Sequence, residues 1–410
     1  MPSGEGFPAS ACGDTIFGTT GLTGHGSVQP RVIADGQGGF IVAAEETRNG
    51  GSPDIYAQRT GQSGGRIWGD LGVPVCTASG DQRFAATTYG AIASDGQGGC
   101  YITWEDDRDL ATTGTDIYVQ HLTSSGAVSG DHWPAEGLQL TNAPGNQRQS
   151  SIISDGAGGA IVVWQDEQVS VDANIRAARI NPDGSIAAGW SLNGNVVCDA
   201  SSAQTCPVLT TDQENGAIIA WADGRNWDIY VLRMQSDGVA DPDWTANGVP
   251  LTLVVGEQTN PEITSDGFGG ALVVWMDART SGNGQDVYAQ RITGTGAVVW
   301  AANGVALSTA ALDQAFPRIV PNGTGGAIVV WDDKRNVSST SDDIYAQAIN
   351  AAGAVQWAAD GAAITTDADS QRNPSSRRTA TEALSSPGAT SRTTPTTATS
   401  GPLEWASMAR

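Results

Sequence analysis

The chain has 410 residues, of which 39% are hydrophobic and 16% charged, and its 44 acidic against 21 basic residues give a formal net charge of −23. This charge excludes sequence-independent binding to nucleic acid, which needs clustered cations, and adsorption to anionic membranes. No apolar run approaches the roughly 20 residues of a membrane helix, so we expect no membrane insertion.

The first 28 residues precede the repeated part of the chain. Met1–Gly13 contains no basic segment followed by an apolar stretch, so no secretory signal is visible. We expect residues 1–28 to form an N-terminal segment that could supply a strand to a closing blade.

One unit recurs along residues 29–373. Its motif reads DGAGGAIVVWQDEQ in one copy, and copies begin at Asp35, Asp95, Asp155, Asp212, Asp266 and Asn322, separated by 60, 60, 57, 54 and 56 residues. Each copy continues with a block such as DIYAQR, a turn that contains Gly, a second Trp and a segment such as GVPL. Such a period is the signature of a repeat architecture.

Each unit predicts four short strands. In the copy that starts at Pro261, PEITS is the first strand, DGFGG a tight turn, ALVVW a strand buried on both faces, and DVYAQRI the third strand. The fourth strand lies around Trp300–Leu307, and no segment has helical spacing. The sequence therefore predicts an all-β fold, a β-propeller of four-stranded antiparallel blades with six complete repeats. A β-sandwich array would need seven or more strands per unit.

A Trp-x-Asp-x-Arg signature ends the second strand in four copies. Its polar members are Asp106 and Arg108, Asp223 and Arg225, Asp277 and Arg279, and Asp333 and Arg335. Residues two apart on a strand share a face, and the Asp that opens the third strand lies across the turn. We interpret the set as a structural Asp–Arg–Asp network, because an active site needs one set of perturbed groups and not six equivalent ones. A ring of carboxylates could instead hold Ca²⁺, although the adjacent Arg disfavours a cation, and we expect no other cofactor.

Two cysteines, Cys198 and Cys206, flank a loop-like segment. A disulfide between them would imply an oxidising compartment, and two unrelated thiols are the alternative.

The loops between the second and third strands, and those between successive blades, share one face of a propeller and vary most between copies. From the Arg position to the DIY-type block there are 5, 7, 5, 2, 6 and 7 residues, and the step from Gln82 to Asp95 is five longer than the usual eight. Such variation predicts a binding face. Its candidate contact residues are Arg83, Phe84 and Tyr89 in the long loop and Trp227 in the shortest one. For Trp227, stacking on a sugar ring and packing over the blade edge are both open.

The chain changes character after the sixth repeat, and we interpret residues 374–410 as a disordered or out-of-frame tail. If the codons from Arg378 to Thr399 are read two bases later, the permitted residues include D-G-D-G-G-A-I-V-A-W-G-D, which is the repeat motif. The shifted Asp falls eight residues after Gln371, the spacing that four of the repeats have. We infer a seventh blade that was truncated by a frameshift.

The units resemble the repeats of bacterial secreted and cell-surface β-propeller proteins across about residues 29–373. The turns PDGSIAAGW, with Asp183, and SDGVADPDW, with Asp237, also resemble the Asp-box hairpin of sialidase-type propellers, although the spacing to Trp190 and Trp244 is longer. In that family the Asp-box is structural, so the resemblance implies no hydrolysis. We expect a monomer that is extracellular or at the cell surface.

We favour a non-catalytic recognition or scaffold module that binds a glycan or a protein through its variable-loop face. The alternatives are a propeller-type glycoside hydrolase (sialidase-like) or polysaccharide lyase, supported by fold analogy alone, and a purely structural surface repeat. The sequence identifies no catalytic residue. A paired-carboxylate hydrolase would draw on Glu105, Glu167, Asp131, His132 and Glu136.

Overall fold

The computed structural model describes residues 27–48, 51–85, 90–130, 132–168, 172–280, 282, 284–337, 342–365 and 371. These residues form 25 strands in six sheets, and they include no helix that is long and apolar enough to cross a membrane. Strands that follow one another along the chain pair antiparallel, so each repeat folds into one sheet. The predicted propeller of four-stranded antiparallel blades with six complete repeats is confirmed. The segments 1–26 and 372–410 lie outside the described residues.

The strands of blades 1 to 3 follow the repeats in order. Blade 1 comprises β1 (Ser27–Ala34), β2 (Phe40–Glu46), β3 (Asp54–Thr60) and β4 (Val73–Cys76). Blade 2 comprises β5 (Gln82–Arg83), β6 (Ile92–Ser94), β7 (Cys100–Asp106), β8 (Asp116–Leu122) and β9 (Leu138–Gln139). Blade 3 comprises β10 (Gln147–Ser154), β11 (Ala160–Asp166), β12 (Asn174–Ile180) and β13 (Asn195–Cys198). In blade 2, the long loop between Gln82 and Asp95 splits the first strand into two pieces, β5 and β6.

Blades 4 to 6 repeat the same pattern. Blade 4 comprises β14 (Gln204–Thr211), β15 (Ala217–Asp223), β16 (Asp228–Met234) and β17 (Val249–Pro250). Blade 5 comprises β18 (Gln258–Ser265), β19 (Ala271–Asp277), β20 (Asp286–Ile292) and β21 (Val305–Ser308). Blade 6 comprises β22 (Gln314–Pro321), β23 (Ala327–Asp333), β24 (Asp343–Ile349) and β25 (Ala362–Thr365).

The hydrophobic core lies between neighbouring blades. The second strand of a blade is buried on both faces, as its unbroken apolar run predicts. One face carries the strand-end Trp and packs on the preceding blade, as Trp104 does on Ile41 and Ala43 of blade 1. The other face packs on the following blade, as Tyr101 does beside Val162 and Trp164 of blade 3.

The second Trp of each of the first five blades joins that blade to the next. The Trp68 indole N–H donates to the carbonyl oxygen of Ser124 at 2.9 Å, and Trp133, Trp190, Trp244 and Trp300 make the equivalent bond. The hairpin that receives Trp68 needs a glycine: a Cβ on Gly126, whose φ is +83°, would lie 2.8 Å from the indole ring. The recurrent Trp and Gly are therefore two halves of one contact between blades.

Candidate functional site

The repeated Asp–Arg pair ties the end of the second strand of its blade to the start of the fourth strand. In blade 5 the Arg279 guanidinium donates from Nε to Oδ1 of Asp277 at 2.8 Å and from Nη2 to Oδ2 at 2.6 Å. The Trp275 indole donates to Oδ2 of the same carboxylate at 2.8 Å. Nη2 of Arg279 also donates to the carbonyl oxygen of Asn303, just before the fourth strand, at 2.8 Å. The equivalent bonds are made by Asp106 and Arg108, Asp223 and Arg225, and Asp333 and Arg335.

A tyrosine that the sequence analysis overlooked completes this network. The guanidinium carbon of Arg279 lies 3.7 Å from the centroid of the Tyr288 ring, a cation–π contact, and four other blades have the same contact between their Arg and the Tyr of DIY. The third-strand Asp has other partners. In blade 2, Asp116 accepts hydrogen bonds from the hydroxyls of Thr113 at 2.7 Å and Thr141 at 3.1 Å. The network is thus Trp–Asp–Arg–Tyr, and the expected Asp–Arg–Asp arrangement is corrected for that blade.

The network also bears on the Ca²⁺ alternative. A bidentate guanidinium engages both oxygens of Asp277, so this carboxylate is already neutralised by a fixed cation. Within the described ranges, no group of three or more His, Cys, Asp and Glu side chains could hold a metal ion.

Cys198 and Cys206 are not joined by a disulfide in the structure. Cys198 is buried beneath the network, and burial raises the pKa of its thiol to about 12. The disulfide alternative and the oxidising compartment that it would imply gain no support.

The loops between the second and third strands and those between blades do share one face, and they are bonded to each other. The backbone N–H of Asp107 donates to the carbonyl oxygen of Asp81 at 2.9 Å. The backbone N–H of Ala278 likewise donates to the carbonyl oxygen of Glu257 at 2.9 Å. The variable loops of the sequence therefore form one surface, which we call the loop face.

The long loop of blade 2 supplies less to this face than expected. Arg83 is exposed and forms an ion pair with Asp81. Phe84 is only 2% exposed and packs in the core between blades 1 and 2, and its backbone N–H donates to the Glu45 carboxylate at 2.7 Å. Phe84 therefore does not contact a ligand at the surface, and its place among the contact residues is corrected. Tyr89 lies outside the described residues.

Two of the candidate acids of a hydrolase, Glu105 and Glu136, hold blades together. Oε1 of Glu105 accepts the backbone N–H of Gln149 in blade 3 at 2.7 Å, and burial raises the pKa of Glu105. Oε2 of Glu136 accepts the backbone N–H of Thr77 at 2.7 Å. Both acids thus bind backbone at a junction between blades. Asp131 is outside the described residues.

Trp227 is the candidate whose placement fits a binding role. Its side chain is 53% exposed on the loop face, and its backbone has φ +62°. Hydrogen bonds hold this conformation at both ends, because the Trp227 N–H donates to the carbonyl oxygen of Asp223 at 2.8 Å and its own carbonyl accepts the N–H of Gln258 at 2.7 Å. The indole is therefore presented by a fixed piece of backbone.

A cleft lies beside this indole. It has a volume of about 480 Å³ and is lined by Asn226, Trp227, Asp228 and residues 253–257. Leu253 and Val255 are both exposed, Val255 at 92%, and Asn226 and Glu257 supply exposed polar groups. We call this the Trp227 cleft.

The Asp228 carboxyl lines the cleft and is buried. Its Oδ1 accepts the backbone N–H of Val254 at 3.4 Å. Burial, helped by the nearby Asp277 carboxylate, raises the pKa of Asp228 to about 6, although the hydrogen bond from Val254 opposes the shift. Perturbed carboxyls cluster at functional sites, although structural networks perturb them too.

A second cavity, of about 460 Å³, lies on the propeller axis. The innermost strands of blades 2 to 6 line it, mostly with aliphatic side chains. Its charged pair, Glu262 and Arg318, lies 3.0 Å apart and joins blade 5 to blade 6. Because the innermost strands of five blades converge on it, we regard this cavity as the propeller channel.

No protein-family model and no curated protein sequence matches the chain. Among solved structures it is similar to the Hadza microbial sialidase Hz136, at 10% identity and a TM-score of 0.45, with 74% of this chain and 62% of that chain covered. It is also similar to an exo-β-1,3-galactanase from Phanerochaete chrysosporium, at 12% identity and a TM-score of 0.33, with 71% of this chain and 69% of that chain covered. A levansucrase mutant from B. megaterium aligns at 10% identity and a TM-score of 0.33, with 68% of this chain and 86% of that chain covered. At such identities the similarity concerns the fold alone.

Proposed function

We propose that this propeller is a non-catalytic recognition module that binds a glycan in the Trp227 cleft. The observation that carries the proposal is the exposure of Trp227 in a left-handed backbone conformation. For a residue other than Gly this conformation costs about 1–2 kcal/mol, and a half-exposed indole recovers little of that by burial. Strain at an exposed aromatic residue is accounted for if a ligand covers the ring.

The chemistry of the cleft suits a sugar. An indole face and the Leu253 and Val255 side chains offer apolar area to the C–H face of a pyranose, while Asn226 and Glu257 can bond its hydroxyl groups. Trp227 lies in the shortest of the loops between second and third strands, and it has no aromatic counterpart at the same place in the other repeats. A single, non-repeated aromatic site is what binding of one ligand per molecule requires.

A glycan array with parallel screening for released product tests the proposal. We expect saturable binding without turnover. Binding should be lost in Trp227→Ala and kept in the control Phe268→Ala, whose exposed ring lies on the DGxGG turn of blade 5, at the end of the strands away from the loop face. Hydrolysis of a bound glycan would show that the protein is an enzyme and would overturn the non-catalytic assignment. Binding that Trp227→Ala leaves unchanged, or binding of a protein alone, would overturn the glycan assignment, and absence of any ligand would favour a structural repeat.

A further inference from the structure

The face of blade 6 that points away from blade 5 is less covered than its equivalents. Three apolar positions show this: Ile328 in β23, Ile344 in β24 and Ile364 in β25 are all partly exposed. In the other five blades the same three positions are at most 2% exposed. The counterparts of Ile328 are Ile41, Tyr101, Ile161, Ile218 and Leu272. Those of Ile344 are Ile55, Ile117, Ile175, Ile229 and Val287, and those of Ile364 are Val75, Leu140, Val197, Leu251 and Leu307. This face is built like one that packs on a following blade.

Blade 1 shows the complementary feature on its opposite face. Phe40 at the start of β2 is 44% exposed, whereas its counterparts Cys100, Ala160, Ala217, Ala271 and Ala327 are fully buried. Val42, Ala44 and Tyr56 form a small cluster on the same face, and that cluster includes no residue of blade 6. The two ends of the six-blade array thus each present an apolar face to the space between them.

Packing around the axis agrees with this gap. The innermost strands pack on each other from β1 to β6, β6 to β10, β10 to β14, β14 to β18 and β18 to β22. Among the described residues, no comparable packing joins β22 to β1.

We infer that a seventh blade of the same repeat belongs between blade 6 and blade 1. The reading frame shifted by two bases after Gln371 permits its first-strand turn and its second strand, D-G-D-G-G-A-I-V-A-W-G-D, in register with the other repeats. Such a blade would set its second-strand Trp face on Ile328, Ile344 and Ile364, as Trp331 is set on blade 5.

The sequence of the N-terminal segment fits the fourth strand of such a blade. Gly6–Ser10 reads GFPAS and matches the fourth-strand segments GVPVC at 72–76 and GVPLT at 248–252, with Gly first, Pro third and a small polar residue fifth. A fourth strand that comes just before β1 in sequence would join the two ends of the chain in one sheet. The inference concerns the junction of blades 6 and 1 and is independent of the Trp227 cleft in blade 4.

The gene provides the first test. Third bases at codons 378–390 that spell the motif in the shifted frame are expected, and third bases that do not would overturn the inference.

The second test compares the 410-residue chain with a chain whose frame is restored after Gln371. Restoration is expected to raise the urea midpoint, and deletion of residues 2–20 to lower it again. In the 410-residue chain, Ile344→Ala should lower the urea midpoint much less than Ile229→Ala does. In the restored chain, the two substitutions should lower the midpoint by the same amount. A midpoint that restoration does not raise, or Ile344→Ala and Ile229→Ala equal in both chains, would overturn the seventh blade. A deletion without effect would overturn the N-terminal strand.

A third measurement needs no new chain. Hydroxyl-radical footprinting of the 410-residue protein is expected to modify Phe40 and Ile344 and to spare Tyr101 and Ile229. Equal protection of all four would show that the space is already filled and would overturn the inference.

Discussion

Arg176 approaches Asp166 to 2.5 Å from the third strand of blade 3, at the position where the other five blades carry Tyr. In the same blade Gln168 stands in place of the network Arg, and the Trp164 indole N–H has no hydrogen-bond partner among the described residues. One Arg on the strand thus replaces the Arg of the turn and the Tyr beneath it. The carboxylate keeps a cation, but the Trp loses its acceptor.

We predict that the pair of substitutions Gln168→Arg and Arg176→Tyr rebuilds the common network in blade 3. The rebuilt Trp–Asp bond should stabilise the fold by about 1 kcal/mol. Arg176→Tyr alone should destabilise it, because Asp166 is buried and burial already raises the pKa of its carboxyl. Urea unfolding of the wild type, both single variants and the double variant measures these changes. A double variant less stable than both single variants would show that the common network is not rebuilt in blade 3.

Removal of the Arg from an intact network should be costly. Arg279→Met leaves the fully buried Asp277 carboxylate without its cation, and we expect a loss of about 3 kcal/mol in the free energy of unfolding. The variant that carries both Asp277→Asn and Arg279→Met should lose less, because no unpaired charge remains. Urea unfolding compares the two variants. A double variant less stable than Arg279→Met would show that pairing of the two charges is not the source of the stabilisation.

Two glycines separate backbone strain from close packing. Gly267 has φ +82° with open space at its Cβ position, so Gly267→Ala should cost about 1 kcal/mol from strain alone. Gly304 has φ +89°, and a Cβ there would lie 2.6 Å from the Trp275 ring, so Gly304→Ala should cost about 3 kcal/mol or more. Thermal unfolding measures both, and equal losses would contradict the packing argument.

The raised pKa of the Asp228 carboxyl makes the stability of the fold depend on pH. Its pKa in the folded protein is about 6, against an ordinary value of 3.8, so between these values the folded state binds more protons than the unfolded state. The contribution of Asp228 to stability therefore falls as pH rises from 4 to 6. Asp228→Asn should raise the free energy of unfolding by on the order of 1–2 kcal/mol at pH 7 and leave it unchanged below pH 4. Urea titrations at pH 3.5 and 7 check this, and a variant that is weaker at pH 7 would show that the charge is stabilising.

Repetition made most of the fold predictable. A motif copied six times fixes where each strand begins, and the unbroken apolar run of the second strand correctly predicts burial on both faces. The Asp–Arg pair was visible because both residues recur at fixed spacing. The Tyr of the same network recurs as regularly, but its contact crosses from the third strand to a turn, and spacing within one strand does not reveal it.

The candidate site was less predictable, since exposure depends on the neighbouring blade. Phe84 follows Gln82 by two residues, as Gln149 follows Gln147, so it belongs to the first-strand irregularity and not to the inserted loop. Glu45 of blade 1 then fixes its backbone. For Trp227, the short loop indicated an unusual aromatic residue, but its left-handed backbone and the apolar cleft with Leu253 and Val255 emerge only in the folded chain.

Trp227→Gly tests the central claim most directly, because it removes the ring and also the backbone strain. We predict that this variant unfolds at the same urea concentration as the wild type or a higher one, with a gain of up to about 1 kcal/mol, since Gly accepts the φ of +62°. In the same preparation, affinity for the glycan identified on the array should fall at least about tenfold, equivalent to about 1.4 kcal/mol. A variant that is less stable yet binds as the wild type does would show that Trp227 serves the fold and not the ligand.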